Sequence, residues 1–201
     1  MITQEQVFQF RISLDDVTPE VWRRIQVPGA YTFWDLHVAL QDAMGWSDSH
    51  LHKFEAIDPE SGEPEEIGIP DPGGFGFGTQ VSPGWERSIS NYFTEAGVSM
   101  NYRYDFGDDW RHTLLLEDIV SREEGVEYPR CLDGQRACPP EDCGGAPGYE
   151  LFLEILGDPS HEQHEEILEW HGRDFDPETF DPEAVRFDDP ARRWAMAFGP
   201  E

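Results

Sequence analysis

The chain has 201 residues and carries 42 acidic against 14 basic side chains, for a formal net charge of −28. A field of that sign repels phosphate backbones, and basic residues adjoin only at Arg23-Arg24 and Arg192-Arg193, so generic binding of duplex nucleic acid is excluded. Aromatic residues make up 13%, with seven Trp and 13 Phe, which excludes a disordered chain and suits one sizeable core. No apolar run approaches the ~18 residues of a membrane-spanning helix, and Met-Ile-Thr-Gln-Glu-Gln at the start lacks the basic and apolar regions of a signal peptide. A cytoplasmic protein is expected, with Cys131, Cys138 and Cys143 reduced; three cysteines leave no complete disulfide framework.

Residues 7–14 place Phe8, Phe10, Ile12 and Leu14 on one face of a strand. After Asp15–Pro19, Val21, Arg23, Ile25 and Val27 alternate with Trp22, Arg24 and Gln26, and the two segments read as an antiparallel hairpin ended by Pro28-Gly29. Thr32 with Asp35 three residues on resembles a capping box. Phe33, Leu36, Leu40 and Ala43-Met44 follow at helical spacing, and Gly45 suits the C′ position, so a helix is predicted over 33–44. His37 borders its apolar face and reads as a packed core histidine. Residues 51–57 read as a third strand with His52 and Phe54 on one face. Residues 58–88 are poor in regular signals. Within them, Pro70–Gly78 is rich in glycine and proline but lacks the Lys and the following helix of a phosphate cradle, and reads as a surface loop.

The densest cluster of carboxylates, aromatics and imidazole is Tyr102–His112. It reads as a hairpin over 99–120: a strand ending at Tyr104, a turn at Phe106-Gly107-Asp108 with positive φ at Gly107, and a second strand from Trp110. Asp105, Asp108 and His112 at its tip have two readings. They can bind a metal or move a proton, and they can equally cap and solvate a turn. His50 and His52, at i and i+2 on a strand start, would join them if the two hairpins adjoin. No G-x-S-x-G nucleophile motif is present. Farther on, Cys131, Cys138 and Cys143 have spacings compatible with a structural zinc site. The fourth ligand would come from His112, His161, His164, His171, Asp133 or Asp142. Helices are predicted over 148–156 (Tyr149, Phe152, Leu153 and Leu156 inward), over 161–171 with a Ser160/Gln163 capping box, and near 190–198 with Trp194 and Phe198 returning to the body. Residues 154–189 hold 13 acidic side chains against two Arg, a surface suited to a basic protein partner.

Several of these segments, in this order, resemble the plasmid pRiA4b ORF-3-like family: Val21-Trp22-Arg23-Arg24-Ile25, Thr32–His37, Gly45-Trp46, Tyr104–His112, Cys138-Pro-Pro-Glu-Asp142, Gly148-Tyr149-Glu150 and the Phe175-Asp176-Pro177 region. The resemblance covers nearly the whole chain. It implies a bacterial or archaeal α+β protein of no established activity. Some members carry a resolvase-like label, but this chain lacks the arginine-rich site and basic DNA-binding region that such chemistry needs.

The expectation is one α+β domain over 1–201. An antiparallel or mixed sheet curls over a central helix in β-grasp-like element order (residues 1–120), and the cysteine loop and an acidic helical C-terminal region pack on it (121–201). The expected core is Phe10, Ile12, Trp22, Ile25, Phe33, Leu36, Leu40, Phe54, Tyr104, Leu114 and Leu116. The expected role is binding or accessory, through protein contacts and without nucleic acid or membrane. The alternatives are a metal-dependent hydrolase using Asp105, Asp108, His112 and His52, and an accessory role in mobile DNA elements.

Overall fold

Helix α1 (Phe33–Met44) begins at a full capping box. The Asp35 amide donates to Thr32 Oγ1 at 3.2 Å, and the Thr32 amide donates back to Asp35 Oδ2 at 2.8 Å. Gly45 closes the helix at φ 89°, a left-handed conformation that costs other residues strain. Ten of its residues are buried, more than an amphipathic stripe facing one sheet requires, because the segment from Pro190 to Phe198 covers Trp34 on another side.

The computed structural model describes residues 5–70, 81–172 and 175–199. Around α1 lie strands β1 (Gln6–Leu14), β2 (Trp22–Pro28), β3 (His52–Ile57), β4 (Pro64–Gly68), β5 (Val81–Pro83), β6 (Ser99–Tyr104), β7 (Trp110–Ser121) and β8 (Arg130–Gln135). They form one sheet in the order β5-β4-β3-β6-β7-β1-β2-β8. Every neighbouring pair is antiparallel except β4 and β5. Between β2 and β3 stand β1, β7 and β6, so α1 is the crossover that carries the chain across the sheet. Helices α2 (Gly145–Gly157), α3 (His164–His171) and α4 (Pro190–Phe198) complete the mixed α+β fold. The last is tied back by Trp34 Nε1 donating to the Pro190 carbonyl at 3.0 Å and by Trp194 and Phe198 packing near Trp85.

The core is one cluster running from Phe8, Phe10, Ile12 and Leu14 through Phe33, Leu36 and Leu40 to Tyr102, Tyr104, Trp110 and Leu114. Each such side chain gains ~1.5–3 kcal/mol on burial. The expected core is found with one correction. Trp22 lies on the opposite face of β2 from Ile25, because residues three apart on a strand never share a face. It sits half-buried outside, beneath the Arg11 and Arg24 guanidinium groups at 4.7 and 5.2 Å. The alternation instead turns Arg23 inward.

Met100, Tyr102 and Tyr104 stand directly opposite Leu114, His112 and Trp110 across the hairpin and all are buried, so the two rows share one face. Other expectations change. The positive φ angles of the turn fall on Asp105 (54°) and Asp109 (56°), not on Gly107. Ser160 does not cap α3; Gln163 takes the N-cap position without a side-chain bond, and the Ser160 hydroxyl donates to Asp158 Oδ1 at 2.6 Å. In α2 the buried residues are Gly145, Tyr149, Phe152 and Ile155, with Leu153 and Leu156 only partly covered. Strands β4, β5 and β8 lie in segments read as irregular. Most of the Pro70–Gly78 excursion lies outside the described residues.

Replacing Leu40, which is 1% exposed, by Ala is expected to cost about 2–5 kcal/mol through lost transfer free energy plus a cavity. Urea unfolding followed by tryptophan fluorescence measures it, and a loss under about 1 kcal/mol would contradict this packing.

Candidate functional site

Three loops meet at one end of the sheet: Gly45–Leu51 between α1 and β3, Asp105–Asp109 at the tip of the β6–β7 hairpin, and the segment 138–144 that leads into α2. Glu141 clasps them together. Its Oε1 accepts the Tyr104 hydroxyl at 2.7 Å and its Oε2 accepts the Ser47 amide at 2.8 Å. Tyr104 in turn accepts the Ser49 amide at 3.0 Å and stacks on Trp46, whose indole N–H donates to the Pro139 carbonyl at 2.9 Å. Asp108 Oδ2 accepts the Gly144 amide at 3.0 Å, a second tie between the hairpin and the cysteine segment. A side chain at residue 145 would run into the Asp108 carbonyl, so Gly145 permits that approach.

Against this frame the four expected hydrolytic residues do not converge. Asp105 Oδ1 accepts the Gly107 amide of its own turn at 2.9 Å, and Asp108 is committed to Gly144. His112 lies on the sheet's buried face, edge-on to Trp46, and neither ring nitrogen makes a hydrogen bond. His52 stacks on His37 with centroids 3.4 Å apart and planes 11° from parallel. His50 and His52 thus part: β3 carries His52 into the core, and His50, in the loop before it, faces Asp105 Oδ2 at 3.6 Å and Asp142 Oδ1 at 3.1 Å. Among the described residues, the group of metal-capable donors that converges within 4.8 Å is His50, Asp105 and Asp142.

The cysteines are not part of that group. Cys131 sits on β8 opposite Ile25, and its thiol lies 3.6 Å from the Asp133 carbonyl. Cys138 is half-buried, and desolvation pushes its thiol up to about 12, with the Arg23 charge opposing. Cys143 is also pushed up to about 12, first by desolvation and then by the Asp108 charge. Of the residues expected to complete a zinc site, Asp133 pairs with Arg24 at 3.4 Å, and His164 Nδ1 lies 2.9 Å from the Ile155 carbonyl. His161 Nδ1 accepts the Gln163 amide at 3.1 Å, and His171 packs on Phe175. The structure assembles no three-thiolate centre from these residues.

Two buried polar arrangements gave no sequence signal beyond His37 itself. Gln41 donates to the Tyr102 hydroxyl at 2.9 Å. That hydroxyl lies 2.8 Å from His37 Nδ1, whose ring places Nε2 2.7 Å from Asp48 Oδ1. Asp48 adopts φ 61° to reach inward. Arg23, 1% exposed, is held by the carbonyls of Ala43, Trp22 and Gln135 at 2.8–3.0 Å, and lies over the Phe180 ring at 3.7 Å.

Burial drives His112 down to about 3 and lowers His52 well below its ordinary value, with the neighbouring His37 charge adding to the latter. In the unfolded chain both take up a proton near pH 6.5, whereas the folded chain resists until near pH 3 at His112. The contribution of neutral His112 is therefore complete above pH 6.5 and falls as the pH drops from 6.5 toward 3, by up to about 1.4 kcal/mol per pH unit, and burial of neutral His52 acts in the same direction. Urea unfolding between pH 7 and 4 is expected to show this slope, and His112→Leu to flatten it.

The model of the plasmid pRiA4b ORF-3-like protein matches residues 6–184. The chain is 38% identical over 197 residues to the uncharacterized protein y4hQ of Sinorhizobium fredii, covering 94% of each chain. Its fold matches the crystal structure of MM3350, a protein of unknown function from Methanosarcina mazei, with a TM-score of 0.83 at 45% identity, over 92% of this chain and 100% of that one. The match at residues 6–184 spans all three loops of the junction, and the chain belongs to the plasmid pRiA4b ORF-3-like family.

Proposed function

We propose that this protein is a cytoplasmic, non-catalytic binding module. In this reading a β-grasp-like body carries an acidic helical C-terminal region that docks a basic, amphipathic segment of a protein partner. The observation that carries the reading is the groove between α2 and α3. Leu151 and Trp170 are 51% and 50% exposed there, and with Phe152, Ile155 and Ile167 they line a cavity of about 270 Å³. Trp170 also borders a second cavity of about 440 Å³ with Trp46, Cys138, Glu141 and Phe175. Exposed aromatic and aliphatic side chains grouped at a concavity are the usual anchors of an interface. The same helices expose Glu150, Glu154, Glu166 and Glu169 and carry no Lys or Arg, so the rim repels acidic partners and attracts basic ones.

The hydrolase reading loses its support, because Asp105, Asp108, His112 and His52 are drawn to four different environments. The charge argues equally against an accessory role on DNA.

Two measurements test the proposal. Proteins crosslinked to the chain in its native host are compared with those crosslinked to a Leu151→Asp/Trp170→Ala double variant. Partners lost from the variant are expected to contain a basic amphipathic segment. Its synthetic peptide should bind the wild-type chain more weakly as salt rises, since exposed charges are screened over ~8–10 Å. A peptide that binds both chains alike would remove the groove from the proposal. In gel-shift assays at physiological salt, random duplex DNA is expected to run free; micromolar, salt-sensitive retention would overturn the exclusion of nucleic acid.

A further inference from the structure

We propose that the loop junction is a divalent-cation site in which His50 Nε2, Asp105 and Asp142 hold a first-row ion such as manganese or zinc. The three donors come from three different loops and lie within 4.8 Å of one another. Imidazole nitrogen and carboxylate oxygen bind such ions at ~2.0–2.2 Å, which sets neighbouring donors about 3.0 Å apart in an octahedral shell and about 3.4 Å in a tetrahedral one. His50 Nε2 stands 3.1 Å from Asp142 Oδ1 and 3.6 Å from Asp105 Oδ2, so both spacings match donors around one ion.

Three further observations point to a ligand. His50 Nε2 is shielded from solvent and makes no hydrogen bond, although Asp142 lies close. A nitrogen in that state loses its water contacts without replacement, which is costly unless something else is bound. Asp105 is 8% exposed; its Oδ1 is fixed by the Gly107 amide at 2.9 Å, which aims Oδ2 at the imidazole. Among the described residues, no Lys or Arg pairs with Asp105 or Asp142, so His50 is the only basic group at these two carboxylates. Elsewhere at the same hairpin tip the pairing differs: Asp109 is held by both Arg103 and Arg111.

The site is also pre-shaped. Asp105 and Asp142 take the left-handed conformation at φ 54° and 58°, and the Glu141 and Asp108 contacts pin the loops on either side. Asp142 has a 71% exposed side chain, which leaves one flank open for water to complete the shell. One imidazole with two carboxylates suits manganese, iron(II), cobalt and zinc, and a site of this kind makes no use of the cysteines.

The test uses the full-length, untagged chain after chelator treatment. Manganese binding is read from the electron paramagnetic resonance of the free ion, and zinc binding by competition with a chromophoric chelator. The chains compared are wild type, His50→Gln, Asp142→Asn and a Cys131→Ser/Cys138→Ser/Cys143→Ser variant. One manganese per wild-type chain is expected, with affinity at least tenfold lower in His50→Gln and in Asp142→Asn. The triple cysteine variant is expected to stay within twofold of wild type. Asp142 is exposed, so its variant should fold, and near-ultraviolet circular dichroism checks this. His50→Gln lies outside the α2–α3 groove, so its metal defect is separable from any loss of partner binding. No manganese binding below millimolar concentration, or unchanged affinity in both site variants, would overturn the proposal. So would zinc binding lost only in the cysteine variant, which would return the metal to the thiols. An ion pair between protonated His50 and the two aspartates would show itself as the first of these outcomes.

Discussion

The Glu141 carboxylate is the contact on which the loop junction depends. Two donors from different parts of the chain, the Tyr104 hydroxyl and the Ser47 amide, converge on its two oxygens. Hydrogen bonds to an ionised acceptor contribute ~1.5–3 kcal/mol each, more than neutral ones, and these two join the end of β6 to the loop after α1. Without them, among the described residues, the segment 138–144 would be tied to these loops by the Trp46–Pro139 and Asp108–Gly144 hydrogen bonds. The Tyr104 hydroxyl is pushed far up, first by burial and then by its hydrogen bond to Glu141 and that group's charge, so it stays a donor to that carboxylate across the accessible pH range. The position of Asp142, one residue on, follows directly from the clasp, and so does the distance between Asp142 and His50.

Much of the fold could be read from local chemistry. The capping box at Thr32 and the glycine at 45 delimit α1 because both signals act within a few residues, and the alternation of β1, β6 and β7 is a period that burial enforces. What escaped were strands made by their neighbours. Pro64–Gly68 has two glutamates and a single apolar residue, Ile67, yet it pairs with β3 because that edge needs a partner. Arg130–Gln135 similarly becomes a strand only against β2. Trp22 was misplaced for a different reason: its hydrophobicity outweighed the alternation that already put it opposite Ile25. The turn at Asp105–Asp109 shows a third limit. Aspartate tolerates positive φ when its carboxylate finds local donors, so Gly107 was not needed for that purpose.

The candidate site was legible as a neighbourhood but not as a set of ligands. Asp105 stood out because carboxylates, aromatics and histidines crowd its segment. The partner histidine was ambiguous, since His50 and His52 differ by two residues and the end of β3 falls between them. Once β3 begins at His52, that ring is committed to the core, where His37 stacks on it. Asp142 was visible only as a possible fourth ligand for zinc, and no sequence spacing relates it to His50, 92 positions earlier. Long-range convergence of this kind is set by the clasp and by the crossover of α1.

The distribution of cations explains why the negative charge matters more at one end of the molecule than its total suggests. Most arginines of the body are engaged: Arg11 with Glu20, Arg24 with Glu117, Arg87 with Glu65, Arg103 and Arg111 with Asp109, and Arg130 with Glu123. Arg193 is shared between Asp42 and Asp188 where α4 meets α1. Exposed pairs of this sort add only ~0–1 kcal/mol each to stability, but they neutralise the surface on which they lie. Of the two arginines in 154–189, Arg186 donates to the main-chain carbonyls of Glu183 and Val185, so its charge is not spent on a carboxylate there. Glu150, Glu154, Glu166 and Glu169 stand exposed on helices that hold no Lys or Arg, beside the exposed Leu151 and Trp170. An apolar groove under a negative field discriminates between partners by sign before any close contact forms, which is the physical basis for expecting a basic ligand there.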